Sequence, residues 1–143
     1  MSKPAPPSRA DYRLFYSKST RWSDNDIYGH INNVTYYSYF DTTANRFLIE
    51  EGGLDIGDGR VVGYVVKSGC EYHAPISYPE PIDVGLRVDH LGNSSVQYGL
   101  AIFRHGGDQA VAHGFFVHVF VDRQANKSVP IPAQLRAALE KLL

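Results

Sequence analysis

Two aspartates and a histidine fall within seven residues in the segment Asp24-Asn25-Asp26-Ile27-Tyr28-Gly29-His30, which Ile31-Asn32-Asn33 follows. The segment stands directly before a stretch with helical periodicity. A helix N-terminus presents unpaired backbone N–H groups and a partial positive charge. Such a terminus can polarise a carbonyl oxygen and stabilise the negative charge that develops on it. A carboxylate beside it could attack the carbonyl carbon or activate a water. The same residue types have ordinary structural uses, because Asp and Asn before a helix are common caps and Asx-turn formers. Asp24 reads mainly as such a structural residue. Asp26 is the better candidate for chemistry. His30 is read either as a hydrogen-bonded packing histidine or as an orienting donor and polar lining near Asp26.

A metal is the other chemistry these residues could serve. The segment starts like a calcium loop, but Tyr28 stands at the fifth position and Thr35 at the twelfth, where a ligand side chain and a bidentate glutamate are required. A three-ligand zinc or iron site would need further donors from afar. Neither a metal nor a cofactor is expected.

The elements that must position the loop are legible on either side of it. Tyr12 to Trp22 reads as a first strand. A helix is predicted from about Asn33 to Ile49, with Tyr37, Phe40, Ala44, Phe47 and Leu48 at spacings of three and four. Asn32 or Asn33 can cap its start, and Gly52 and Gly53 stop it. Tyr36 and Tyr39 widen its apolar surface, so it should pack on a sheet and be mostly buried.

Four more strands follow. Arg60 to His73 is one. Ile82, Val84, Leu86 and Val88 alternate with Asp83, Gly85, Arg87 and Asp89 in the next. After a turn at Gly92-Asn93, Val96, Tyr98, Leu100 and Ile102 alternate in a third. Ala110 to Val121, apolar on both faces, should be central. A short helix, Ala133 to Leu143, follows Pro130 and Pro132. This order predicts an α+β domain with a five-stranded antiparallel sheet wrapped around one long central helix. The domain should span residues 12–143, with residues 1–11 a flexible lead-in rich in proline. An apolar outer sheet face would need cover, which points to a homodimer, assembling further to a homotetramer.

Composition bounds the function classes. The chain has 143 residues and a formal net charge of −1. That length suits one domain, and that charge argues against a dedicated nucleic-acid binder. The lone Cys70 allows no intrachain disulfide and no cysteine-based zinc site; it reads as a small buried apolar residue. No leader-like apolar run opens the sequence and no membrane span is evident, so a cytoplasmic protein without a membrane partner is expected.

The pattern Asp-x-Asp-x-x-Gly-His-x-Asn-Asn-x-x-Tyr, from Asp24 to Tyr36, resembles the signature of hotdog-fold acyl-CoA thioesterases of the 4-hydroxybenzoyl-CoA thioesterase type. Leu91-Gly92-Asn93-Ser94-Ser95-Val96 is similar to that family's turn between its third and fourth strands. The resemblance implies a catalytic role for Asp26 and a polarising backbone N–H at Asn33. His30 falls where related acyl thioesterases carry a histidine. The implied activity is hydrolysis of a fatty-acyl or aryl-CoA thioester to free acid and CoA, with acyl carrier protein the other carrier class. The implied substrate slot lies at a dimer interface. Two other readings stand beside it: a hydratase or dehydratase on an acyl thioester, and a non-catalytic acyl-CoA-binding module. Arg60, Lys67, Arg87, Arg104 and Arg123 are weighed as contacts for coenzyme A phosphates, but single basic residues on strand ends are usually solvated surface, and none is singled out.

Overall fold

A computed structural model of the chain describes residues 5–143. Its organising element is helix α1, Asn33–Glu50. Tyr36, Tyr39, Phe40, Thr43, Ala44, Phe47 and Leu48 are buried along it, the three-and-four spacing of one helical face. The Asn32 side chain accepts a hydrogen bond from the Val34 N–H and caps the start. At the far end Glu51 and Gly52 both donate to the Phe47 carbonyl, and Leu54 donates to that of Leu48. Gly53 takes a φ of +71° there, a conformation that favours glycine and ends helices.

Five strands wrap around α1: β1 (Leu14–Lys18), β2 (Val61–Tyr72), β3 (Ile82–Leu91), β4 (Ser95–Arg104) and β5 (Ala112–Asp122). They run antiparallel in the order β1-β3-β4-β5-β2, with a two-residue β6 (Lys127–Ser128) added to β5. Helix α2 (Ala133–Glu140) buries Leu135, Ala138 and Leu139. The inward set of β3, β4 and β5 includes Val84, Leu86, Tyr98, Leu100, Ile102, Phe116 and Phe120, all buried with Phe40 and Leu48 of α1 in one core. Each such side chain contributes about 2 kcal/mol by leaving water. This is the hotdog architecture that the sequence implies.

Two polar groups sit inside this core. His118 on β5 is buried with its Nδ1 3.0 Å from the Tyr98 hydroxyl. Burial pushes the His118 imidazole down to about 4 and the Tyr98 hydroxyl upward.

The elements differ from the expected ones mainly at their ends. β1 is shorter than Tyr12–Trp22: it spans Leu14–Lys18, between short 3-10 turns at Arg9–Asp11 and Trp22–Asp24. In the second, the Asp24 carboxylate accepts the Arg21 N–H and so tightens the turn. Of the expected lead-in, residues 1–4 lie outside the described residues. Residues 7–11 lie against the domain: Pro7 accepts from the Ala110 N–H, Arg9 donates to the Asp108 carbonyl, and Ser8 bridges Gln109. Next to them Tyr12 and Phe15 pack edge-on against Phe103 at 5.9 and 5.7 Å, with the Arg9 guanidinium over both phenyl rings. The outer face over Ala101 and Phe103 is thus covered from within the chain. Arg9 also pairs with buried Asp83 at 3.0 Å. Burial alone would raise the Asp83 carboxyl, but hydrogen bonds from His105, Ser17, Gly106 and Arg9 hold it at about 2.

The opposite end of the sheet is open. β2 pairs with β5 on one side only. Tyr64, Val65 and Val66 are exposed along it, beside a bulge between Val65 and Lys67.

Candidate active site

The loop before α1 is tied at its base and free at its tip. Asp24 is buried, and both of its carboxylate oxygens are committed. Oδ2 accepts from the Tyr39 hydroxyl at 2.7 Å and the Arg21 N–H at 2.9 Å, while Oδ1 accepts from the Arg21 guanidinium at 3.0 and 3.2 Å. Burial alone would raise this carboxyl, but these hydrogen bonds hold it below its ordinary value. The Asp24 carbonyl in turn accepts the Asn32 N–H at 2.9 Å, which docks the start of α1 on the aspartate's backbone. A bridge between Asn25 and Ile31 closes the next rung. Asp26 donates its N–H to the His30 carbonyl, and Gly29, at a φ of +80°, donates to the Asp26 carbonyl. The tip residues Ile27 and Tyr28 stand in solvent.

A second loop, between β2 and β3, clamps the first. Ile31 donates to the Ile76 carbonyl at 2.8 Å, Ser77 Oγ to the Gly29 carbonyl at 2.8 Å, and the Tyr78 N–H to Asn25 Oδ1 at 3.0 Å.

These ties bring Asp26, His30 and Asn33 to one cleft of about 450 Å³. Its apolar walls come from Ile31, Tyr36, Tyr72 and Pro75. One Asp26 oxygen, Oδ1, accepts the Tyr28 N–H at 2.8 Å. The other has no hydrogen-bond partner among the described residues, nor does the Asn33 N–H or the His30 imidazole. The Tyr72 hydroxyl donates to the Asn33 carbonyl at 3.0 Å, which fixes the first peptide of the helix. The Tyr72 ring packs edge-on against Tyr36 at 4.9 Å. Burial and the neighbouring Cys70 push the Tyr72 hydroxyl upward, so it remains a donor. Cys70 itself is half-buried, and its thiol is pushed up to about 11 by burial.

A carboxylate with a free oxygen and an unpaired amide at a helix start is an arrangement that can act on a carbonyl. Among the described residues no cluster of three or more His, Cys, Asp or Glu is placed to hold a metal ion. No described helix is long and apolar enough to cross a membrane. None of the basic residues weighed from sequence lines this cleft, though Arg104 donates to the Pro75 carbonyl behind its wall. Arg60, Arg87 and Arg104 pair with Asp122, Asp89 and Glu80, Arg123 donates to the Ile56 carbonyl, and Lys67 lies over the Phe115 ring.

One residue of the cleft escaped the sequence reading in any functional sense. His73, just past the end of β2, borders it, and its Nε2 lies 2.7 Å from His113 Nδ1, which with Glu71 lines a second pocket beside Pro7, Asp11 and Arg87. Forty positions separate the two in sequence. Only the β2–β5 register, which sets Glu71 opposite His113, brings them together.

A family model described as the thioesterase-like superfamily matches residues 20–139. Among solved structures, the PA5185 protein of Pseudomonas aeruginosa strain PAO1 is 58% identical, with 96% of each chain covered and a TM-score of 0.95. The gentisyl-coenzyme A thioesterase BH1999 is 21% identical over 88% of this chain and 99% of that one, with a TM-score of 0.78. Slr0204, a 1,4-dihydroxy-2-naphthoyl-CoA thioesterase from Synechocystis, is 17% identical over 90% of this chain and 96% of that one, with a TM-score of 0.80. At such identities the last two likenesses speak to the fold alone.

Proposed function

The chain belongs to the thioesterase-like superfamily, and from that premise we propose that it hydrolyses an acyl-CoA thioester to a free acid and CoA, with Asp26 as the reacting carboxylate. The observation that carries this reading is that Asp26, with one carboxylate oxygen free, and Asn33, whose N–H has no partner among the described residues, line one cleft. The Asn33 amide polarises the thioester carbonyl and holds the negative charge that develops on its oxygen. Asp26 attacks the carbon, giving a mixed anhydride, or deprotonates a water that does so. His30 orients or lines the approach to Asp26. Ile31, Tyr36, Tyr72 and Pro75 offer apolar surface to the acyl or aryl group. Acyl carrier protein is the alternative thioester carrier.

The reading includes a homodimer that assembles to a tetramer, working in the cytoplasm. A 12-residue strand with an open edge and exposed Tyr64, Val65 and Val66 is a pairing hazard unless something covers it. A second copy along β2 supplies that cover and lies next to the Tyr72 wall of the cleft.

The test is thiol release from a panel of short, medium, long and aromatic acyl-CoAs. Asp26→Asn should lower kcat at least about 100-fold with KM largely kept. Wild-type turnover by this variant would overturn the assignment of Asp26.

A further inference from the structure

We infer that Tyr72 is a positioning residue of the reaction: from the end of β2, its hydroxyl keeps the Asn33 amide in line with the thioester carbonyl. The inference rests on the thioester-hydrolase reading above. Tyr72 lines the cleft with Asp26 and Asn33. The Asn33 N–H is one of the first-turn amides that a helix leaves without an internal partner, so no bond of its own aims it. It is aimed through its neighbours. Before it, the Asn32 N–H donates to the Asp24 carbonyl at 2.9 Å. After it, the Asn33 carbonyl accepts the Tyr72 hydroxyl at 3.0 Å. Two more bonds lie within the turn: the Thr35 N–H reaches the Asn32 carbonyl at 2.9 Å, and the Val34 N–H reaches Asn32 Oδ1 at 3.3 Å. These shape the turn but tie it to nothing else. Among the described residues Tyr72 is the one side chain outside α1 that hydrogen-bonds Asn33.

Tyr72 is itself well held. Its backbone ends the β2–β5 ladder opposite Ala112. The next two amides, of His73 and Ala74, both donate to the Val111 carbonyl, at 2.8 and 3.1 Å. Its ring meets Tyr36 edge-on at 4.9 Å, and Tyr36, one turn along α1 from Asn33, is buried. A strand thus delivers the hydroxyl to a helix start that the Asp24 loop secures on its other side. The hydroxyl's hydrogen is committed to the Asn33 carbonyl, so Tyr72 acts through Asn33 and supplies no proton.

The chemistry makes the direction of the amide matter. A thioester carbonyl is a weak acceptor before attack and an oxyanion after it, so the Asn33 amide acts mostly at the transition state. A hydrogen bond weakens steeply as its angle worsens. A first turn tied to the fold at Asp24 alone therefore loses rate before it loses substrate.

The experiment uses the full chain and an acyl-CoA that the wild type turns over. Tyr72→Phe keeps the ring against Tyr36 and removes the donor. Its kcat should fall about 10-fold or more while KM moves less than threefold, with a melting curve showing that the variant is folded. The second readout is the infrared carbonyl band of an isotope-labelled thioester held on Asp26→Asn, where turnover is slow. That band should lie below its position in buffer. Adding Tyr72→Phe should move it back toward the buffer position, which loss of a purely structural tyrosine would not do. If Tyr72→Phe does not fold, Tyr72→para-fluorophenylalanine, which fills the space of the hydroxyl without a hydrogen to donate, must show both effects. Wild-type kcat in a folded variant overturns the inference, and so does a lower kcat with the carbonyl band unmoved. A band that stays at its buffer position on Asp26→Asn itself overturns instead the role of Asn33. A wild type that releases no thiol from any acyl-CoA overturns the thioesterase reading as a whole.

Discussion

Acid should weaken this fold through one histidine, and the size of the effect follows from where that histidine lies. His118 is 1% exposed, beside the Tyr98 hydroxyl and the Phe120 ring, with no carboxylate among the causes acting on it. Its imidazole is lowered from 6.5 to about 4 in the folded chain. Between those values the unfolded chain binds a proton at this site and the folded chain does not, so stability falls as pH falls. The contribution is intact above about pH 6.5, declines through the window and is exhausted near pH 4. A shift of this size corresponds to roughly 3 kcal/mol, and near-complete burial leaves little solvent to screen it. The comparison variant is His118→Asn, whose side-chain oxygen can still accept from Tyr98 but does not titrate. Denaturant unfolding of both proteins at half-unit intervals from pH 7 to pH 4.5 measures the difference. The variant should be the less stable protein at pH 7, through lost packing, and the gap should narrow steadily toward acid. Groups common to both proteins, including Asp83, cancel in that difference. Parallel curves across the window would show that His118 takes up its proton freely in the folded state, and the reasoning would fail.

Two further outcomes are expected. Tyr39→Phe removes the 2.7 Å donor to buried Asp24 and should destabilise the chain by about 1–3 kcal/mol, read as a lower melting temperature; an unchanged melt would show that the contact contributes nothing. Val66→Lys places a charge on the open edge of β2, where Val66 is 60% exposed, and should shift the protein toward monomer in sedimentation or light scattering, whereas an unaltered mass above the monomer would place the interface elsewhere.

Local chemistry made much of this structure readable from sequence. The three-and-four spacing of aromatic residues after Asn33 and the glycines at 52 and 53 marked both ends of α1 within one or two residues. Alternation from Ile82 to Val88 and from Val96 to Ile102 located β3 and β4, because one face of each is buried. The ends of β1 were obscured, since its 3-10 flanks depend on the Asp24 carboxylate reaching back to Arg21 and on Arg9 reaching across to Gly107. Within the site, the loop from Asp24 to Asn33 was legible because its residues are contiguous. The His73–His113 pair was not. Its two members come from strands whose register is set by the whole β2–β5 ladder, and no spacing along the chain encodes a contact across it.

The tie between the Asn32 amide and the Asp24 carbonyl has a mechanical consequence. It joins the root of the loop to the first turn of α1, so a thermal displacement of one carries the other with it. Motions of the solvent-borne tip at Ile27 and Tyr28 reach the site through the Tyr28 N–H on the Asp26 carboxylate and through the short Asp26–His30 and Gly29–Asp26 links. The loop thus behaves as a stiff bracket with a pliant finger: the helix fixes its root, and the finger's own amide steadies the Asp26 carboxylate.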